Sequence, residues 1–326
     1  MSVLPAGRRG RTALPTVLAA VVLLTAACGA PASQGGYPTR NIQLIVPYPA
    51  GSAIDATSRA LVEIVNGEGK LGRRVQVVNR EGGAGSVGTT ATLSAKPDGH
   101  TIGLVPDGPL TLLPRTEKVS YDPATVSVIS EVTTSPVLFV VPGDSPYKSI
   151  ADLVAAAKAR PGAITIAEGP LNYAIPAGKF EQLTGTRLKH VKFDGDQATV
   201  TALLGDNVEV GVMQLAGGMA QLKAGKLRAL AIASAQPIEL APEIQTFNQQ
   251  GVALEWEAYN VVIAPQGLPG DVQRKLNEGF GSAVKSPKFA EAARKLGLVV
   301  SGADGETAKA RLAEKSAEAA NLIAPK

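Results

Sequence analysis

The chain has 326 residues, 45% of them hydrophobic, 4% aromatic and 18% charged, with a formal net charge of +4 and one cysteine. A single cysteine rules out a disulfide framework, so the fold must stand on its apolar core. Few aromatics and little net charge exclude the electrostatic footprint of a nucleic-acid binder.

Arg8, Arg9 and Arg11 precede a nearly unbroken run of apolar and small residues over 12–27. Its length suits a secretory leader, and Pro15 interrupts it, which favours a signal peptide over a membrane anchor. The run closes on Leu24-Thr25-Ala26-Ala27-Cys28, similar to the lipobox of bacterial lipoproteins, with Thr25 where leucine is usual. Residues 1–27 are therefore expected to be removed and Cys28 to be lipidated, which also disposes of a lone thiol outside the cell. Without 1–27 the chain keeps 29 basic and 28 acidic residues, a net charge of +1. Residues 28–36, rich in glycine, alanine and serine, read as a flexible tether. Roughly 300 residues remain, which suggests about two domains.

From Tyr37 onward the elements alternate. Ile42-Gln-Leu-Ile-Val46 is an apolar run of strand length, closed by Pro47-Tyr-Pro-Ala-Gly-Ser, and helical spacing follows over 53–65. A strand is predicted at 75–78, a helix over 84–94, a turn at Pro97-Asp98-Gly99 and a strand over 100–105. That order argues for a mostly parallel sheet covered by helices. The apolar run 136–141 reads as a crossing into a second domain. Ser149 caps a helix over 150–159 that Pro161-Gly162 stops. Strands are predicted at 164–167, 190–193, 208–213 and 229–233, a helix over 177–183, and a return strand at 260–264. Ser286-Pro287 opens a helix that Gly297 closes, and 306–323 has helical composition.

Several chemistries lack their residues. His100 and His190 are the only histidines, with no cysteine near either, so a dedicated zinc site has no ligand set. No G-x-S-x-G elbow and no complete Walker A sequence occur. Gly83-Ala-Gly-Ser-Val-Gly88 fits G-x-G-x-x-G, the pattern of a dinucleotide-binding turn. A true fingerprint starts at the end of its strand, but Asn79-Arg-Glu-Gly82 intervenes here, and Glu81 would face the phosphates. The glycines read instead as a close backbone approach, and no cofactor is expected.

The better anion site is Val46-Pro-Tyr-Pro-Ala-Gly-Ser-Ala-Ile-Asp55, which leaves the first strand and opens a helix. Amides of residues 50–53 pointing outward there would bind a carboxylate or phosphate without a cationic side chain. Charge-assisted hydrogen bonds contribute about 1.5–3 kcal/mol each, so a few could supply most of the roughly 8 kcal/mol of a micromolar complex. The alternative is an ordinary capped turn in which Asp55 stabilises the helix start. Ala167-Glu-Gly-Pro-Leu-Asn-Tyr-Ala174 repeats the strand-loop-helix logic further on, and the two loops would grip both ends of a small acid.

Taken together, these segments resemble the substrate-binding proteins of tripartite tricarboxylate transporters, the TctC or Bug family. The resemblance rests on the ordered set Tyr37-Pro38, 42–51 with Asp55 and Arg59, Asn79-Arg-Glu-Gly-Gly-Ala-Gly-Ser86, Lys96-Pro-Asp-Gly-His-Thr101, 149–162, His190-Val-Lys-Phe-Asp-Gly195 and Ala224-Gly-Lys-Leu-Arg-Ala-Leu-Ala231. It implies a two-lobed α/β fold of the type II periplasmic-binding-protein class, each lobe a mainly parallel sheet flanked by helices, with ligand in the interlobe cleft. The lobes would be 37–137 plus 258–326, and 138–257. It also implies a ligand carboxylate held by Tyr48, Ala50, Gly51, Ser52 and Asp55 and by Glu168, Gly169, Asn172 and Tyr173, with Asp107, Gly108 and Gln214 lining the same cleft.

The implied partners are a small organic acid or amino-acid-like ligand, the transporter's membrane permease and the membrane itself through Cys28. The place is outside the cytoplasm, and the role is not enzymatic. A secreted enzyme and a sensor-kinase receptor on the same fold are the competing readings. The family usually has serine or threonine at Glu168 and often aspartate at Gln214. An unpaired carboxylate at 168 would repel a second anionic group, which points to a monocarboxylate, an amino acid or an amide-bearing ligand.

Overall fold

Ten strands and eleven α-helices alternate along residues 36–323, of which the computed structural model describes all but 170 and 194. The expected signal peptide and the lipidation site at Cys28 lie outside the described residues. The strands are β1 Ile42–Val46, β2 Val75–Asn79, β3 Thr101–Pro106, β4 Val126–Pro142, β5 Thr165–Glu168, β6 Lys189–Lys192, β7 Val210–Gln214, β8 Leu227–Ile232, β9 Glu257–Pro265 and β10 Val299–Val300. The helices are α1 Ala53–Glu68, α2 Ser86–Leu93, α3 Gly108–Thr111, α4 Leu113–Thr116, α5 Ile150–Ala159 and α6 Leu171–Thr184. They continue as α7 Asp196–Leu204, α8 Leu215–Lys223, α9 Gly270–Val284, α10 Pro287–Lys295 and α11 Gly305–Ile323.

The sheet order is β2-β1-β3-β9-β4-β7-β5-β6, with β8 and β10 also paired to β4. One group is parallel around β1, which pairs β2 and β3. A second is parallel around β5, which pairs β6 and β7. The antiparallel strands β4 and β9 join them. Residues 126–136 of β4 pair with β9, while 137–142 pair with β7 and β8.

β4 is far longer than the predicted 136–141. Ser130, Glu131, Thr133, Thr134 and Ser135 are buried in it, and their polarity hides the strand from any apolar pattern. Register shifts at 128/130 and 131/133 bend the strand along this stretch. Beyond it, alternate side chains feed two cores. Val137, Phe139 and Val141 enter a cluster with Phe180 and Phe247, whose rings lie 5.1 and 4.9 Å from that of Phe139. Leu138 and Val140 enter another with Val200, Leu203 and Met213.

α6 begins six residues before the predicted start because Pro176 lies inside it. Proline removes the donor that the Asn172 carbonyl would otherwise receive, a cost that sequence reading takes as a stop. Among the described residues no helix is long and apolar enough to cross a membrane.

Candidate functional site

The first loop leaves β1 at Val46, and Ser52 caps α1, its hydroxyl accepting from the Asp55 N–H at 3.4 Å. Asp55 is buried. One carboxylate oxygen accepts from the Gly51 N–H and the Arg59 Nε, both at 2.9 Å, and the other accepts from Asn79 Nδ2 at 2.9 Å. Asn79 also donates to the Tyr48 carbonyl at 3.0 Å. Burial alone would raise the Asp55 pKa, but the hydrogen bonds from Arg59, Gly51 and Asn79 outweigh it and hold the group below its ordinary value.

Asp55 is therefore an internal fastener. The Gly51 N–H is spent on it, and the Ser52 N–H on the Pro49 carbonyl at 3.2 Å. The expectation that all amides of 50–53 face outward is corrected for Gly51 and Ser52, while the N–H groups of Ala50, Ala53 and Ile54 make no hydrogen bond among the described residues.

The glycine-rich run supports this loop from behind. Gly82, Gly83, Ala84 and Gly85 all have positive φ, so the chain turns sharply before α2. The Tyr48 hydroxyl donates to the Ala84 carbonyl at 3.1 Å. A Cβ on Gly88 would stand 2.7 Å from the Pro47 Cα and the Arg80 carbonyl oxygen, and one on Gly85 would stand 2.9 Å from Pro109. The run is a packing surface for Pro47, Tyr48 and Pro109. Burial, and then the charge of Asp107, raise the Tyr48 pKa.

Asp107 caps α3, but its carboxylate faces inward. One oxygen accepts from the Tyr259 N–H at 3.0 Å, and the other pairs with Lys315 Nζ at 2.5 Å. Both side chains are about 95% buried, with 4% and 5% exposed. Lys315 also donates to the Glu257 carbonyl and lies over the rings of Trp256 and Tyr259, 4.5 and 4.8 Å from their centroids. The expected ligand residue Asp107 thus has its charge balanced by Lys315. Gly108 remains partly open at the head of α3. A cavity of about 310 Å³ lies beside Lys315, lined among others by Lys179, Trp256, Glu257, Tyr259 and Arg311. None of the sequence-predicted site residues lines it, and each of its cations already has a carboxylate, Lys179 with Glu318 and Arg311 with Glu131 at 2.9 Å.

At the second loop, Gly169 has no room for a side chain because the Tyr173 ring lies 2.6 Å from where its Cβ would be. The Tyr173 hydroxyl is hydrogen-bonded with Asp196, Asn172 and the Gln214 backbone; burial, followed by the Asp196 charge, raises its pKa. Asp196 is itself raised, by burial first, and one of its enclosed oxygens has no hydrogen-bond partner among the described residues. The structure thus gathers Gly169, Asn172 and Gln214 around Tyr173, together with Asp196, a residue absent from the sequence-predicted site.

Glu168 takes another direction. It ends β5 and contacts His190 Nδ1 at 2.6 Å, while His190 Nε2 contacts Glu181 at 2.9 Å. Hydrogen bonds to Glu168 and Glu181, in that order, push the His190 pKa up to about 10. Among the described residues no cluster of histidine, cysteine, aspartate or glutamate could hold a metal ion.

The profile of the TctC family, described as tripartite tricarboxylate transporter family receptor, matches residues 61–325. Protein BugT of Bordetella pertussis is 31% identical over 284 residues, 83% of this chain and 85% of BugT. The chain belongs to the TctC family. A TctC solute binding protein from Polaromonas, solved without ligand, matches at a TM-score of 0.80 and 25% identity, over 88% of this chain and 99% of that one. An R. palustris protein solved with adipate shares the fold at a TM-score of 0.72 and 23% identity, over 88% of this chain and 98% of that one. The TctC chain therefore has the two-lobed periplasmic-binding-protein fold, and it is an extracytoplasmic solute receptor rather than an enzyme.

Proposed function

We propose that this TctC receptor captures a small organic acid between its first and second loops and delivers it to the permease of a tripartite tricarboxylate-type transporter. The observation that carries the reading is the first loop. The amides of Ala50, Ala53 and Ile54 lie in or beside the first turn of a sixteen-residue helix with no hydrogen bond among the described residues, the Ser52 hydroxyl caps it, and its first-turn acid, Asp55, is paired with Arg59. A helix start without free negative charge attracts a carboxylate. The adipate held by the R. palustris protein of the same fold is an acid of that kind.

In this reading Tyr48, Ala50, Ser52 and Gly108 meet one end of the ligand, and Asn172, Tyr173 and Gln214 meet the other. Gly51, Asp55, Asp107 and Gly169 shape the loops. The lobes are 37–137 plus 258–326, and 138–257. Residues 1–27 are a signal peptide, and a lipid on Cys28 ties the receptor to the outer face of the membrane.

The test is a thermal-shift titration of purified protein with small carboxylates and amino acids. A receptor shows a melting-point rise that grows with ligand concentration, and the ligand is recovered unchanged. A flat response to every acid would remove the proposal's support. For the anchor, Cys28→Ser should move the protein from the membrane fraction to the soluble fraction, and unchanged retention would refute lipidation there.

A further inference from the structure

The cavity of about 310 Å³ beside α11 shares no lining residue with either loop, and its charges do not balance. Its cations Lys179, Arg311 and Lys315 are paired with Glu318, Glu131 and Asp107. Glu131 and Asp107 are not part of the lining, so Glu255, Glu257 and Glu314 are left as lining acids with no ion pair among the described residues. Glu255 accepts only from a neutral donor, Asn248 Nδ2, at 2.7 Å. Glu255 and Glu314 are exposed, and Glu257 is half-buried.

A second observation comes from the indole in the same wall. Trp256 is 3% exposed, and its Nε1–H has no hydrogen-bond partner among the described residues. A buried indole N–H ordinarily finds an acceptor. The lining thus lacks a positive charge beside its glutamates and an acceptor beside its indole. An anion would meet only cations that are already paired, and among the described residues no acidic cluster could hold a metal ion.

We propose that this cavity is a second binding site, taking a small organic cation that carries a hydroxyl, of the short amino alcohol class. Its ammonium sits against Glu257 and Glu314, and its hydroxyl oxygen accepts from Trp256 Nε1. Lys179 of α6 and Glu314 of α11 both line the cavity, so the occupant lies between these two helices. Binding carries a proton signature. Glu257 feels Glu131 of β4, Glu255 before β9, and Arg311 and Lys315 of α11; burial and then Glu131 prevail and hold its carboxyl up at about 7. Lys179, Tyr259, Glu314 and Glu318 complete the charged and titratable lining. An ammonium beside Glu257 favours its ionised form. Affinity should therefore rise between about pH 5 and pH 8, by about tenfold for a one-unit fall in that pKa.

The experiment is calorimetric titration of the full chain with ethanolamine and with propylamine, which has a methyl group in place of the hydroxyl. Ethanolamine should bind about tenfold more tightly, the gain of one hydrogen bond to a buried donor. Trp256→Phe keeps a ring but loses the N–H, and should erase that preference. Glu257→Gln should weaken both amines about tenfold and abolish the rise with pH. Glu314→Gln, at an exposed position that leaves the core untouched, should weaken both about threefold and serves if Trp256→Phe folds poorly. Equal binding of the two amines by wild type, or unchanged affinities in Glu257→Gln, overturns the proposal. So does the absence of heat from either amine, or a response that sodium chloride matches. None of these outcomes bears on carboxylate capture by the two loops, which the thermal-shift titration tests separately.

Discussion

Two single residues, Glu257 and His190, give folding a pH dependence of the same sign. Burial, followed by the nearby Glu131 charge, pushes the Glu257 carboxyl up to about 7 from 4.5. A group whose pKa is raised by folding contributes stability that is complete below its unfolded value and lost as pH rises through its folded value. For Glu257 that window runs from 4.5 to about 7, and for His190 from 6.5 to about 10. Rising pH therefore costs stability twice, first between 4.5 and about 7 and then between 6.5 and about 10. Glu257→Gln removes the first loss alone, because the interaction with Lys315 uses the Glu257 carbonyl and not its side chain. The variant should be more stable than wild type by about 1–2 kcal/mol at pH 8, with the gain gone near pH 4. Melting temperatures across pH 4 to 9 would read this directly. No gain at pH 8 would mean that the buried carboxyl sheds its proton at no cost.

Among the elements, α2 and its glycine turn decide how the first loop stands. Gly88 lies where any side chain would meet backbone at Pro47 and Arg80, atoms that cannot swing aside. Gly88→Ala should cost about 1–3 kcal/mol by overpacking and weaken acid binding, since Pro47 and Tyr48 must shift with it. Gly281 inside α9 has open space at its Cβ, so Gly281→Ala should be neutral or stabilise by about 0.5–1 kcal/mol. Urea denaturation of the pair would test this, and equal stability of the two variants would contradict the packing role.

The same elements mark what sequence can reveal. β1, α1 and α5 were legible to within a few residues because a short apolar run and a capping serine are local signals. β4 was not, since its buried serines, threonines and Glu131 break the apolar pattern, and the partners of Glu131 and Thr133, Arg311 and Asn260, come from distant parts of the chain. The loop at 47–52 could be found from its position between strand and helix. Its fastener could not, because Asn79 reaches Asp55 from the next strand, and the inward turn of Asp107 is set by a lysine on the last helix.

At the scale of the whole molecule, α11 is a strap across β3, β4 and α6. Arg311 pairs with Glu131 of β4, Glu318 with Lys179 of α6, and Lys315 with Asp107 at the end of β3. Ala319 enters the core cluster around Phe139, and Ala308 and Leu312 enter another with Val105 and Val261, so the strap is fixed by apolar contact as well as by charge along its length. The Lys315 pair is the most deeply enclosed of these, and its energetics are the least symmetric. Removing one partner leaves the other charged and buried, which typically costs about 3–5 kcal/mol, whereas removing both can be nearly neutral. Lys315→Met should therefore lower unfolding free energy by about that amount, and adding Asp107→Asn should recover most of it. Chemical denaturation of both single variants and the double variant forms a complete cycle. A double variant no more stable than Lys315→Met would show that the ammonium matters for its place on the Trp256 and Tyr259 rings and not for Asp107. The strap would then be held by cation–π contact, and Asp107 would be available to the cleft after all.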